Sequence, residues 1–225
     1  MEEFDLAADR NGFIASRIAP VLEVALQASP FGKIPLEQLL QNRETSRAPG
    51  AGYSRGSWKF ETDSYATEEH GAEEPIDDRE SKLYMHYVDS ETISAARARD
   101  VVLRNAEKRM AALIFNATTW NGAALTTGIS TEWSTASSAV PITDVNAARQ
   151  KVWDNSGLWP NALIINRTVF HNLRNVTQVK DAIAASGAGS PTKLTDITAQ
   201  MLAMVFDLEE VIVAGSAKNT ANEGQ

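Results

Sequence analysis

The sequence predicts an α+β protein with an extended, projecting part, and three observations carry that expectation. Residues 61–80, ETDSYATEEHGAEEPIDDRE, hold nine acids against one base, which equals the formal net charge of −8 of the whole chain. Such a run cannot enter a core, because unpaired carboxylates are costly to desolvate. From Ser90 to about Ala117 there is no glycine and no proline, and apolar residues recur at spacings of three and four, as on one face of a long helix. Two short apolar runs, ALII at 162–165 and VIVA at 211–214, flank helix-patterned segments, as in a small α/β layer.

The bulk numbers bound the rest. At 225 residues the chain can bury a sizeable core. An apolar content of 43% is slightly low for a compact globule and fits extended or surface-heavy parts. The sequence pI near 5.0 argues against a sequence-independent grip on DNA, which needs clustered Lys and Arg, but not against enclosing DNA. Without cysteine there are no disulfides, thiolate metal sites or Cys nucleophiles. No apolar run approaches the roughly 18 residues of a membrane span, and MEEFDLAADRNGF lacks the basic and apolar regions of a secretion signal. A soluble intracellular product is the expectation.

Along the chain, residues 1–46 read as an arm. Ile14, Ile18, Val21, Leu22 and Leu26 lie mostly at helical spacing, interrupted by Pro20, and Pro30 and Pro35 bracket an extended connector. Leu36, Leu39 and Leu40 fit one further helical turn. Residues 47–82 read as an extended β-hairpin loop. RAPGAGYSRGS is turn-prone, and Trp58, Phe60 and Thr62 alternate with Lys59, Glu61 and Asp63, so that one face of a strand is apolar. His70-Gly71 is the expected tip, with the acidic stretch returning as the second strand to Pro75. A ribbon of two strands is marginal in water unless it lies on something else.

Residues 83–120 are expected to hold the long helix, with Ser90 or Thr92 as N-cap and Leu103, Ala106, Met110, Leu113, Ile114 and Ala117 as its stripe. Some 28 residues would span roughly 42 Å. Residues 121–225 form the last region. A Thr/Ser/Ala/Gly-rich loop covers 118–142, with short strands expected around Trp120 and Trp133. A helix should start at Thr143 or Asp144, with Val145, Ala148, Val152 and Trp153 apolar, and stop at Gly157. After the strand at 162–165, Asn166 caps a helix that buries Val169, Phe170 and Leu173. SGAGSP at 186–191 is a loop. Thr195 caps a helix to about Phe206 with Ile197, Met201, Leu202 and Val205 inward, and the second strand follows.

No residue set amounts to an active site, so no catalytic residue, metal ligand or cofactor is assigned. His70, His86 and His171 are scattered and lack metal-ligand spacing. Gly50, Gly52 and Gly56 precede a ribbon rather than a helix and include no phosphate-loop Lys. The pairs Glu73-Glu74 and Asp77-Asp78 lack the ligand order of a calcium loop. A solvated or partner-facing run is the better reading. The bases of the long helix, Arg97, Arg99, Arg104, Lys108 and Arg109, read as a solvated face, a nucleic-acid patch, or the counterpart of a neighbouring subunit's acidic ribbon.

Several blocks in order, GAEEPIDDRE (71–80), DVVLRNAEKRMAALIFN (100–116), GLWPNALIINRTVFHNLRN (157–175) and ITAQMLAMVFDLEEVIVAGSAKNTANEGQ (197–225), resemble the major capsid proteins of tailed phages, with the fold known from phage Hong Kong 97. The resemblance implies an N-terminal arm, an extended loop lying across an adjacent subunit, a spine helix crossing a peripheral domain, and an axial domain from about Asn121. Members of that family continue beyond the equivalent of Gln225, so the chain is expected to lack the last part of the axial domain. The implied function is structural, not enzymatic: self-assembly into pentamers and hexamers of an icosahedral phage head enclosing double-stranded DNA, located in the virion after assembly in the host bacterial cytoplasm. The implied partners are other copies, a scaffolding protein or protease, and a portal, with no membrane. Subunit-contact candidates are Trp58, Phe60, Tyr65, Glu73, Glu74, Asp77, Asp78, Arg79, Arg97 and Arg104, the acids meeting bases such as Arg97 or Arg104 of a neighbour. Two other readings stand beside this one: an encapsulin-type bacterial nanocompartment shell, and a small α/β enzyme working at the loop around 186–191.

Overall fold

The computed structural model describes residues 12–57, 59–84, 89–185 and 196–216. The chain divides into two compact units, Val21–His70 and a second built from Met1–Pro20 with Gly71–Gln225.

The second unit begins with α1 (Ala15–Ile18), a single turn. Its first amides have no partner inside so short a helix. The carboxylate of Glu107 accepts from the Ile14 and Ala15 N–H groups, at 3.1 and 2.8 Å. The helix ends ahead of Pro20, where the sequence places its interruption, and Val21, Leu22 and Leu26 are not helical. Ala19 is extended ahead of Pro20, as the residue before a proline favours.

The Val21–His70 unit contains β1 (Ala28–Lys33), the short α2 (Leu36–Leu40) and β2 (Glu61–Ala66). β1 and β2 are antiparallel, in a register from Ala28 opposite Ala66 to Lys33 opposite Glu61. The ribbon therefore exists, but its second strand is not the acidic return through His70. The partner is the proline-bracketed segment ASPFGK. Charge explains the choice: an acidic return would set carboxylates opposite Glu61 and Asp63, whereas β1 offers Lys33 and Phe31 at those positions. Pro30, which lacks an N–H, is tolerated because a two-stranded ribbon has only edge strands. The Tyr65 hydroxyl donates to the Leu26 carbonyl at 3.1 Å, and the Thr67 amide to that of Gln27 at 2.8 Å, extending the closure.

Beyond His70 the acidic stretch runs into a helix that the sequence pattern does not announce, α3 (Asp78–Tyr84). Asp77 starts it, accepting from the Arg79 amide at 2.7 Å. Acids are favoured there by the helix dipole. The long helix is α4 (Ser90–Ile114), 25 residues, shorter by three than its pattern. Asn116 ends it by accepting from the Thr118 amide at 2.8 Å, a side-chain turn that competes with further helix. Its N-cap is Asp89 rather than Ser90 or Thr92. One carboxylate oxygen accepts from the amides of Glu91 and Thr92, and the other from the Thr92 hydroxyl at 2.6 Å. Those bonds, the hydroxyl's first, hold the Asp89 carboxyl below its ordinary pKa.

The segment before the next helix contains turns and no strand at Trp120 or Trp133. Trp133 instead donates its indole N–H to Asp144 at 2.8 Å. α5 (Pro141–Ser156) starts two residues earlier than expected, with proline in its first turn, where a missing N–H costs nothing. Gly157, left-handed at φ 68, ends it. Of its apolar residues Val145 is buried, whereas Ala148, Val152 and Trp153 are exposed.

The α/β layer follows as β3 (Ala162–Asn166), α6 (Arg167–Leu173), α7 (Thr177–Ala185), α8 (Ala199–Phe206) and β4 (Glu210–Ala214). β3 and β4 pair in parallel, Ile164 opposite Ile212, so each of the two apolar runs supplies the other's neighbour. Asn166 caps α6 as its sequence indicates, accepting from Val169 N–H at 2.7 Å. α8 is capped by Thr198; Thr195, the expected cap, lies outside the described residues, as does the 186–191 loop. α7 is an additional helix between the two that the pattern shows. The core is made here: Ile165, Leu173, Val176, Val179, Ile183, Ile197, Leu202, Phe206 and Val211 are all buried.

Candidate interaction surface

The Val21–His70 unit has no buried residue among those described. Val21 is 87% exposed, Leu22 83%, and Leu26, Leu39, Leu40, Tyr53 and Phe60 are exposed as well. Prolines 20, 30 and 35 explain why the first half of this unit cannot bury its apolar residues on a helix face: they break the 3.6-residue period into extended pieces. What remains is a ribbon and one helical turn with apolar side chains facing water.

The candidate contact residues fall into three groups. Phe60 is exposed just ahead of β2, and Tyr65 is half-buried within it. Trp58 lies outside the described residues. Glu73, Asp78 and Arg79 are exposed, while Asp77 is committed to starting α3. The expected match between acids and helix bases is realised inside one chain at Glu74 and Arg97, 3.4 Å apart. Arg104 pairs with Asp100 one turn earlier on α4, and Asp100 is the buried residue of that helix. Two of the bases held in reserve for a neighbour therefore already have acids in their own chain.

Sequence reasoning missed a second exposed cluster, in the α/β layer. Arg149 of α5 donates to Asp207 at 2.6 Å and to the Phe206 carbonyl at 3.1 Å, and its guanidinium lies 5.1 Å over the Trp159 ring. Trp159 stacks on Trp153 with ring centroids 5.4 Å apart. Arg149, Trp159 and Asp207, with Pro160, Asn161, Leu208 and Glu209, line an open groove of about 630 Å³. Two tryptophans on either side of the helix-ending Gly157 were the available signal. Leu158 and Met204 nearby in sequence are strongly exposed.

No family model matches the chain, and no curated protein matches it. Several solved structures are similar to the chain. The chain shares the fold of a phage-related protein. That protein, from Bordetella bronchiseptica, is 24% identical, and the alignment has a TM-score of 0.60 over 93% of this chain and 67% of the other. The similarity spans the arm, ribbon, helix and α/β regions rather than a single motif. Among the described residues no helix is long and apolar enough to cross a membrane, and no group of three His, Asp or Glu side chains is placed to hold a metal ion.

Proposed function

We propose that the chain is a major capsid protein of the Hong Kong 97 type, a structural subunit that assembles into pentamers and hexamers of an icosahedral phage head around double-stranded DNA. The observation that carries this reading is the Val21–His70 unit, which exposes apolar side chains and buries none among its described residues. A ribbon of two strands does not gain enough from its own contacts to persist in water, and contiguous exposed apolar surface marks an interface. A neighbouring copy is the occupant that an assembling shell supplies. The fold likeness to a phage-related protein supports the phage setting. An acidic chain also suits a container, since a strongly basic lining would hold packaged DNA too tightly.

In this mechanism assembly replaces chemistry. The apolar ribbon residues are covered by the next subunit, while exposed charges such as Glu73, Asp78 and Arg79 act in register and approach rather than in affinity. Sedimentation and electron microscopy of the chain, alone and with a scaffolding protein, test it. Rings of five and six subunits or closed shells are expected. Replacing Leu22 and Phe60 together by serine should return the protein to monomers without changing its circular dichroism. A wild-type chain that stayed monomeric at high concentration with scaffold present would remove the reading. Particles holding protein rather than DNA would redirect it to a nanocompartment shell.

A further inference from the structure

We propose that Asn121-Gly122 is a site of spontaneous covalent modification, where the folded chain leaves the Asn121 side-chain amide free to cyclise onto the Gly122 nitrogen and become aspartate or isoaspartate. The pair lies between two tied turns. Before it, the Asn116 side chain accepts from the Thr118 amide at 2.8 Å, and the Trp120 indole N–H donates to the Ile114 carbonyl. After it, the Gly122 carbonyl accepts from the Thr126 amide at 3.1 Å and from the Thr126 hydroxyl at 2.9 Å. The Lys151 ammonium of α5 fastens the same turn, donating to the carbonyls of Ala123 and Thr126 at 2.7 Å each. The link between the two turns is untied. Among the described residues nothing accepts from the Gly122 N–H and nothing bonds the Asn121 side chain, and both residues are exposed.

The step needs no co-reactant but water. The Gly122 nitrogen attacks Asn121 Cγ, a C–N bond forms as the Cγ–Nδ2 bond breaks, and the side-chain nitrogen leaves as ammonia with the proton that the Gly122 amide gives up. Water then opens the cyclic imide at either carbonyl. One opening leaves aspartate, and the other routes the backbone through the side chain as isoaspartate. Glycine brings no side chain against the ring, and no atom lies within 4 Å of where a Cβ on Gly122 would stand. The other Asn-Gly pair, Asn11-Gly12, is the contrast, Asn11 itself lying outside the described residues. Gly12 is pressed against Gly215: a Cβ on it would stand 2.7 Å from Gly215 Cα, and its carbonyl accepts from the Gly215 N–H at 3.2 Å. Identical dipeptides sit in unlike surroundings, so the fold selects Asn121. Asn116 and Asn155 have their side-chain amides engaged in hydrogen bonds and are followed by alanine and serine. Each event at Asn121 adds one negative charge to a chain of formal charge −8, and isoaspartate lengthens the backbone by one methylene just ahead of the turn that Lys151 holds.

The chemistry stands whether or not the chain assembles. Incubating the full chain at mildly alkaline pH and sampling it over time tests it. Tandem mass spectrometry of tryptic peptides reports conversion at each asparagine, and ion-exchange chromatography follows the added charge. In the native protein Asn121 should convert several-fold faster than Asn11, to a mixture of aspartate and isoaspartate, while Asn116 and Asn155 stay intact. In guanidinium chloride Asn11 should rise to match Asn121, whose own rate should change little. Asn121→Gln should abolish the acidic shift from this site, because the longer side chain would have to close a larger and less favoured ring. A native Asn121 protected relative to the denatured chain would overturn the proposal, as would a native Asn11 that converts as fast as Asn121. The wild-type chain with and without denaturant decides the matter even if the variant fails to fold.

Discussion

Two residues show how single positions carry local structure. Asp89, Ser90 and Thr92 match the preferred cap types about equally well, and the choice among them depends on which one takes an extended backbone, here Asp89. Its carboxyl is held below the usual range by the Thr92 hydroxyl and by backbone N–H groups. A depressed folded-state pKa contributes stability that is present above the unfolded value, near pH 4, and is lost as pH falls through the folded value. The start of α4 should therefore weaken below about pH 4. Asp89→Asn should keep the helix start and abolish that component of the pH dependence, as followed by circular dichroism during acid titration. Gly12 is the second case. Gly12→Ala must place a side chain in the left-handed region and against Gly215, so we expect a loss of roughly 1–3 kcal/mol in denaturant unfolding. Gly71→Ala, where a Cβ meets open space, should change little.

At the scale of elements, apolar period was a good guide wherever a segment faces the core from one side. The two strands of the α/β layer, and the helices that bury Leu173 and Leu202, are where the pattern placed them. Their energetics should follow burial. Leu202→Ala on α8, at a fully buried position, should cost about 2–5 kcal/mol, while Met204→Ala on the same helix, 77% exposed, should stay within about 0.5 kcal/mol. Chemical denaturation midpoints at constant slope would check both. In α5 an apolar residue is not always a core residue: Val152 and Trp153 are exposed, the latter stacked on Trp159. The pattern misled for the ribbon, because strand pairing depends on charges opposite one another, and the opposing strand came from 28–33 rather than from the adjacent acidic stretch. Local alternation specifies a strand but not its partner.

At the scale of the molecule, the core lies in one unit and the exposed apolar surface of the Val21–His70 unit has no counterpart within itself. A unit with no buried residue among those described opens at low free energy, so trypsin should cut the unassembled chain first at Arg43, Arg47, Arg55 or Lys59. Those sites should become protected on assembly. First cleavage within α5 to β4 would contradict this picture. The sequence by itself determined that the acidic stretch stays out of the core, that a long helix follows it, and that two apolar runs form strands of one layer, because charge desolvation and periodic burial are properties of local composition. Tertiary structure alone decided the ribbon's partner strand, the pairing of Glu74 with Arg97 inside one chain, and the docking of α1 on Glu107. Each joins residues that are distant in sequence, from 23 positions for Glu74 and Arg97 to 93 for Ile14 and Glu107, and no short-range pattern encodes which of several complementary groups will meet.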